Sequence, residues 1–205
     1  MNAALGNLID SVLGMPCWQV RWDGQVGLDL NFGTPRLVVR EPRTLRAKSA
    51  RVRALFARRN VWLHGTHWLL FEPGRWRLAL RDGLVVRDTS SSRRLDMAVA
   101  RLRGEKLEAV AIEPRTGRSF FGFDLGSTVE VRSKLPRERA AEDELWSLTA
   151  RSRFITVYGA GRFAVGPIAE PTRESRPLSG DEWLIMASHT AARRRLLSTV
   201  RRAAS

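Results

Sequence analysis

Two histidines three positions apart are the first residues in this chain that suggest chemistry. His64 and His67 lie in the segment LHGTHW and form the close pair among three histidines. A metal site would need both rings on one face, together with a third ligand such as Asp or Glu. On a strand, residues at i and i+3 point to opposite faces, which favours ordinary histidines of a strand or a loop. We therefore expect neither a metal nor another cofactor.

Catalysis needs a nucleophile or an acid–base pair that its neighbours hold in a cleft. Cys17 is the only cysteine, and its apolar surroundings indicate a buried small hydrophobe. The sequence contains no P-loop, no paired-glycine dinucleotide fingerprint and no nucleophile elbow. Gly-Ala-Gly at 159–161 aligns with a turn in the first half of the chain, so we interpret it as a hairpin turn. An enzyme is the less favoured alternative.

The positive charge is the second conspicuous feature. The net charge of +14 is concentrated in two segments, because residues 43–59 hold seven cations and no acid, and residues 173–205 hold seven arginines against three acids. Such an excess favours binding to anionic partners. In the alternative interpretation the basic residues form a solvated surface and reflect an arginine-rich proteome. The candidate binding residues are Arg46, Lys48, Arg51, Arg53, Arg58, Arg59, Trp62, Arg193, Arg194 and Arg195.

An aromatic residue follows the first basic segment. Arg58, Arg59 and Trp62 could form a cationic surface with a stacking platform, as in proteins that bind single-stranded nucleic acids. In the alternative interpretation Trp62 packs on a sheet and the two arginines are simply solvated.

The elements that must position these residues contain a repeated pattern. Trp22–Arg40 aligns with Arg115–Arg132, and Gly33 then lies over Gly126. Apolar residues at every second position predict strands with one buried face, and the two glycines predict turns. Each copy is thus predicted to be a β-hairpin.

A second block also recurs. Trp68–Arg87 aligns with Trp146–Val165 without a gap, which predicts core roles for Trp68 and Trp146. Three helices are predicted from apolar spacing and end signals, over Asn2–Leu13, from Ser90–Ser92 to Arg103, and from Ser179 or Asp181 to Arg202.

The predicted fold is α+β and mostly β. It consists of two tandem repeats of a helix plus an antiparallel β-meander, related by pseudo-twofold symmetry, and a basic C-terminal helix. The predicted units are residues 1–88, residues 89–166, and residues 167–205 with a linker and the final helix.

The repeated blocks carry a resemblance. They share a turn glycine, an alternating strand, a Val-rich strand and a tryptophan that opens another hairpin: Gly24, Phe32–Gly33, Leu37–Val39 and Trp68, then Gly117, Phe123–Gly126, Val129–Val131 and Trp146. In these features the chain resembles uncharacterised bacterial β-rich proteins, some of which look like immunity-type or accessory binding proteins. The resemblance covers most of residues 14–166 and implies a binding module without assigning site residues.

The leading functional hypothesis is a non-catalytic binding protein that acts through a protein partner, as an immunity-type or accessory factor. The alternative is nonspecific nucleic-acid binding through residues 43–59 and 193–202. No apolar run approaches the ~18 residues of a membrane span, and the N-terminus lacks a basic signal region. We therefore expect no membrane span and a cytoplasmic location.

Overall fold

The computed structural model describes residues 3–24, 26–44, 46, 53–54, 56–168 and 175–204. Within these ranges the chain is α+β and mostly β, with antiparallel sheets, as predicted. The described helices are α1 Ala3–Asp10, α2 Ser92–Leu102, α3 Arg137–Ala140 and α4 Thr190–Ala204. In the part of the chain that the structure covers, no helix has the length and apolar character needed to cross a membrane.

Thirteen described strands build the two sheets. They are β1 Cys17–Asp23, β2 Gly27–Arg40, β3 Asn60–Phe71, β4 Trp76–Ala79, β5 Val85–Arg87, β6 Leu107–Ile112, β7 Ser119–Phe123, β8 Thr128–Val131, β9 Glu144–Ala150, β10 Arg153–Tyr158, β11 Arg162–Pro167, β12 Arg176–Pro177 and β13 Leu184–Ala187. Gly159–Gly161 forms a short 3₁₀ turn between β10 and β11, which agrees with the predicted hairpin turn.

Each sheet combines strands from both halves of the chain. The seven-stranded sheet has the order β1-β2-β3-β9-β10-β11-β12, and the six-stranded sheet has the order β13-β6-β7-β8-β4-β5. The strands β4 and β5 therefore complete a sheet that belongs mainly to the second half. Residues of both segments contribute to one core. The division of the chain at residue 88 stays a prediction.

The core lies between the two sheets and is centred on three aromatic rings. Phe71 of the seven-stranded sheet meets Phe121 of the six-stranded sheet edge to face, with 4.8 Å between ring centroids. Phe121 also contacts Trp146, whose indole N–H donates to the Ser119 hydroxyl oxygen at 2.9 Å. All three rings are buried, so apolar burial and satisfied polar groups hold the sheets together.

Two helices close the edges of this core. In α1, Leu5 and Ile9 are buried, and in α2 the residues Leu95, Ala98 and Leu102 are buried at helical spacing. The structure therefore confirms the first two predicted helices and the burial of their apolar faces. The predicted cap Asn2 lies outside the described residues.

The helix α4 covers part of the outer face of the six-stranded sheet. The packed residues are Ala192, Leu196 and Val200 of α4 and Ala109, Ala111 and Phe120 of the sheet. The prediction that this helix begins near Ser179 or Asp181 is wrong. Leu184–Ala187 instead pairs with the edge of β6 as β13, because apolar spacing over so few residues fits a strand as well as a helix.

The predicted hairpin at Gly33 is also wrong. The strand β2 runs through this glycine without a turn, and its pairing with β3 shifts register between Phe32 and Pro35. Gly33 has φ of 70°, which marks a β-bulge. Gly126 does lie in the turn between β7 and β8, as predicted.

A short backbone ladder ties the segment before β1 to the segment before β6. The Gly14 N–H donates to the Leu107 carbonyl oxygen and the Gly104 N–H donates to the Cys17 carbonyl oxygen, both at 2.7 Å. The Cys17 N–H also donates to the Glu105 carbonyl oxygen at 2.8 Å. These bonds join the two sheets at the point where each half of the chain enters its first strand.

Strand sharing leads to a test on fragments. Residues 1–88 and residues 89–205, produced separately, should each lack a cooperative thermal transition in circular dichroism, because each lacks strands that complete its sheets. Production of both fragments in one cell should restore the transition and the spectrum of the intact chain. A cooperative transition of residues 1–88 alone would contradict the shared core.

Candidate functional site

The outer part of the hairpin formed by β2 and β3 extends beyond the strands that pair with it in the seven-stranded sheet. We call residues 34–40 and 60–65 the arm. Its two strands pair with each other from Pro35 opposite Gly65 to Arg40 opposite Asn60. The basic segment that the sequence analysis singled out connects its two strands at the far end.

One face of the arm is apolar and open to solvent. Leu37 lies opposite Leu63 and Val39 lies opposite Val61, so the four side chains share one face in two cross-strand pairs. Their exposed fractions are 64% for Leu37, 45% for Leu63, 45% for Val39 and 53% for Val61. Contiguous apolar side chains at this exposure are typical of an interaction surface rather than of scattered surface residues.

Along Pro35–Val39 and Val61–Gly65, the outer edges of the arm pair with no other described strand. The strand β1 pairs with β2 only from Gly27 to Phe32, and β9 pairs with β3 only from His67 to Phe71. Beyond these points no other described strand reaches either arm strand, so backbone N–H and C=O groups point outwards on both sides. Such edges are available for an added strand.

Two glycines let the arm leave the sheet. A Cβ on Gly33 would lie 2.2 Å from the Thr66 hydroxyl oxygen, and a Cβ on Gly65 would lie 2.2 Å from the Phe32 carbonyl oxygen. A larger residue at Gly65 would require a shift of the backbone, and one at Gly33 would have to displace the Thr66 side chain and adopt a strained φ of 70°. The Gly65 N–H donates to the side-chain oxygen of Asn31 at 2.8 Å, which fixes the bend.

A buried polar network supports this bend from the sheet. The Asn31 amide donates to one oxygen of Asp29 at 2.9 Å, and Arg21 donates to the other oxygen at 2.9 and 2.5 Å. Asp29 and Asn31 are 6% and 0% exposed. The buried carboxylate is therefore paired and hydrogen-bonded, as burial of a charge requires.

The second face of the arm carries aromatic rings. His64 lies between Trp62 and Trp68, with ring centroids 5.9 and 4.7 Å apart and edge-to-face geometry. Burial lowers the pKa of His64; the nearby Asp29 charge opposes this effect and the Arg21 charge adds to it. The predicted core role of Trp68 is wrong, since this residue is only partly buried beside the arm, whereas Trp146 is fully buried.

The far end of the arm is closed by cationic contacts. The Arg40 guanidinium lies over the Phe56 ring at 4.2 Å from its centroid and 5.9 Å from that of Trp62. The Arg43 N–H donates to the Phe56 carbonyl oxygen at 2.8 Å, and Arg59 forms an ion pair with Glu41 at 2.9 Å. These contacts fix the two ends of the basic segment where it joins the arm strands.

The predicted site residues of the first basic segment are spread around this end. Arg46, Arg53, Arg58 and Arg59 are exposed, and Trp62 is half-buried in the arm. Lys48 and Arg51 lie outside the described residues. The cation over the Trp62 ring is Arg40, which the sequence analysis did not single out.

The second basic segment lies on the other sheet. Arg193, Arg194 and Arg195 are exposed on α4, which packs on the six-stranded sheet, whereas the arm extends from the seven-stranded sheet. Arg195 forms an ion pair with Glu108, and the ring of His189 also contacts Glu108, at 2.9 Å. The predicted cations therefore belong to separate elements.

Two described side chains that could take part in catalysis, those of Cys17 and His67, have shifted pKa values. Burial raises the pKa of Cys17 to about 12, so its thiol is protonated and unreactive near neutral pH. Burial and the nearby Arg151 charge lower the pKa of His67. Among residues with a described position, no group of three or more His, Cys, Asp and Glu side chains could hold a metal ion.

The residues that build the arm are not predicted from the sequence. The alternating pattern predicts a strand with one buried face for Leu37 and Val39, whereas both side chains are exposed. The missed signal was the presence of glycine on both strands, Gly33 and Gly65, at a point where the alternating pattern continues on each side.

Comparison with known proteins adds no assignment. Neither a protein-family model, nor a curated protein, nor a solved structure matches this chain.

The polar network under the arm leads to a stability prediction. Asn31→Ala should lower the free energy of unfolding by about 1–3 kcal/mol, because it leaves the Gly65 N–H and one Asp29 oxygen without their buried partner. Asn7→Ala, on the exposed face of α1, is the control and should change it by less than about 0.5 kcal/mol. Urea denaturation measures both, and equal values for the two variants would contradict the role of Asn31.

Proposed function

We propose that this protein is a non-catalytic binding protein that engages a protein partner through the arm, as an immunity-type or accessory factor. The observation that carries the proposal is the exposed apolar face formed by Leu37, Val39, Val61 and Leu63. Full burial of one such side chain is worth about 1.5–3 kcal/mol, so the four together can anchor a partner.

The chemistry of the arm defines the partner. Arg36 and Arg40 alternate with the apolar residues along β2 and so lie on the opposite face of the arm, and a run of further cations follows at its far end. We therefore expect the partner to present an apolar patch to one face of the arm and acidic groups to its far end and other face. The unpaired edges support strand addition, in which main-chain hydrogen bonds provide affinity and side-chain packing provides specificity.

We also propose that the fold arose from two tandem repeats with pseudo-twofold symmetry. Supporting this, the order β1-β2-β3-β9-β10 becomes the order β6-β7-β8-β4-β5 when each strand of one half is replaced by its counterpart in the other half. Two hydrogen bonds are equivalent in the same way: Gly14 donates to Leu107 and Gly104 donates to Cys17, so that Gly14 corresponds to Gly104 and Cys17 corresponds to Leu107. A single rotation that superposes α1–β5 on α2–β10 is the test.

This correspondence differs from the sequence alignment in its second block. The alignment places Trp68 of β3 over Trp146 of β9, whereas the strand order places β3 over β8. In the proposed arrangement each repeat contributes three strands to one sheet and two to the other.

Nonspecific nucleic-acid binding through residues 43–59 and 193–202 is the second candidate function. One observation favours it: Arg46, Arg58, Arg193 and Arg194 are exposed and form no ion pair with any described residue. Arginines without carboxylate partners are available to phosphates.

The arm proposal is tested by capture of a partner from the native host. A photo-crosslinking amino acid at Leu63 should trap one protein, and the same substitution at Leu125 should not, although both positions are exposed. With unmodified chains, L37S/L63S should reduce binding of that protein about tenfold or more, and L125S should leave it unchanged. Equal binding by both variants, each with the wild-type thermal midpoint, would contradict the proposal.

The nucleic-acid candidate is tested by titration of labelled DNA and RNA at about 50 mM and about 200 mM salt. The wild-type protein should bind both without sequence preference, and its affinity should fall steeply with salt. R193A/R194A/R195A should bind more weakly and with a smaller salt dependence. Unchanged affinity and salt dependence in this variant would show that α4 makes no contact.

A further inference from the structure

The helix α4 leaves half of the six-stranded sheet uncovered. It packs over β13, β6 and β7, so the outer faces of β8, β4 and β5 remain open beside it. A depression of about 430 Å³ lies where this open face meets α4, and Thr128 and Arg202 border it. This face holds cations from the strands that the sequence analysis treated as a nearly neutral framework.

Neighbouring depressions continue from this point along the sheet. A small one of about 90 Å³ shares Arg77 and Glu130 with the first, and a larger one of about 700 Å³ shares Arg132 with the small one. We call this continuous surface the basic groove. Eight cationic side chains and three carboxylates line it, and Asp143 and Asp181 pair with two of these cations from outside the lining, so its net charge is positive.

The strand register places two arginines side by side in the basic groove. Arg77 of β4 lies directly opposite Arg87 of β5, so both guanidinium groups leave the same face of the sheet. Like charges in directly opposed positions repel each other. The Arg77 Nε–H is buried and has no hydrogen-bond acceptor in the described structure. An anion bound between the two side chains would relieve the repulsion and accept a hydrogen bond from an arginine N–H.

Carboxylates neutralise only part of the basic groove. Glu130 contacts Arg118 at 2.7 Å and Arg77 at 3.6 Å, and it is therefore shared between two arginines. Arg87 and Arg132 are exposed, and neither forms an ion pair with any residue that the structure describes. These two side chains are the free cations of the groove.

We propose that the basic groove binds the sugar-phosphate backbone of a nucleic acid; this inference rests on the second candidate function. A row of cations along a continuous surface matches a polymer with regularly spaced phosphates. The aromatic rings beneath the groove, Trp76 and Phe120, are 3% and 2% exposed and cannot stack on bases. Binding is therefore through phosphates, without base preference, and similar for single strands and duplexes.

The test compares two double variants by fluorescence anisotropy with labelled oligonucleotides of about 20 nucleotides, single-stranded and duplex. R87A/R132A removes the free cations of the basic groove. R103A/R153A removes two exposed arginines that line none of the three depressions and is the matched control. R87A/R132A should bind about tenfold or more weakly at about 50 mM salt and lower the salt slope by about two. R103A/R153A should match the wild type.

The remaining outcomes separate the inference from the function on which it rests. Loss of binding in R193A/R194A/R195A, with R87A/R132A unchanged, would overturn the groove and keep nucleic-acid binding on α4. Absence of binding by the wild type at about 50 mM salt would overturn both. Displacement of DNA by polyglutamate of equal total charge would assign the groove to an acidic protein and overturn the nucleic-acid proposal.

Discussion

The shape of the arm depends on a chain of polar contacts in which Arg21 holds Asp29, Asp29 holds Asn31, and Asn31 holds the backbone of Gly65. Asp29 and Asn31 lie where water has little access, and the partly exposed Arg21 pairs with Asp29 from the surface. Removal of one member leaves a buried charge or amide without a partner, and the cost of that loss exceeds the gain from any single exposed ion pair. The contacts that fix the orientation of the arm thus lie in the sheet. The apolar face of the arm takes no part in them and remains available to a partner.

The two sheets and their shared core explain why such an exposed element is tolerated. Phe71, Phe121 and Trp146 join the sheets through close edge-to-face contacts, and the indole N–H finds a buried acceptor in Ser119. Stability therefore comes from the region between the sheets and owes little to the arm. An isolated two-stranded ribbon is only marginally stable by itself, and here it is anchored at one end to strands that are paired on both sides.

Local sequence signals predicted the fold class and several elements, but they did not predict how the strands pair with one another. The alternating pattern and the helical spacing of Leu95 and Leu102 were sufficient for the fold class and for α2. Gly33 and Gly126 occupy similar local sequences, yet one is a bulge and the other a turn, because the long-range partner of each strand decides the outcome. The pairing of Leu184–Ala187 with β6 is likewise set by a contact between distant segments. No local pattern contains that information.

The exchange of strands between the halves sets the order of events during synthesis. Trp68 of β3 pairs with Thr149 of β9, so the inner edge of β3 stays open until the ribosome has released most of the second half. The strand β4 must likewise wait for β8 before it has a neighbour on its inner side. Contacts between segments so distant in sequence close slowly. The nascent chain therefore carries strand edges without their final neighbours for most of its translation.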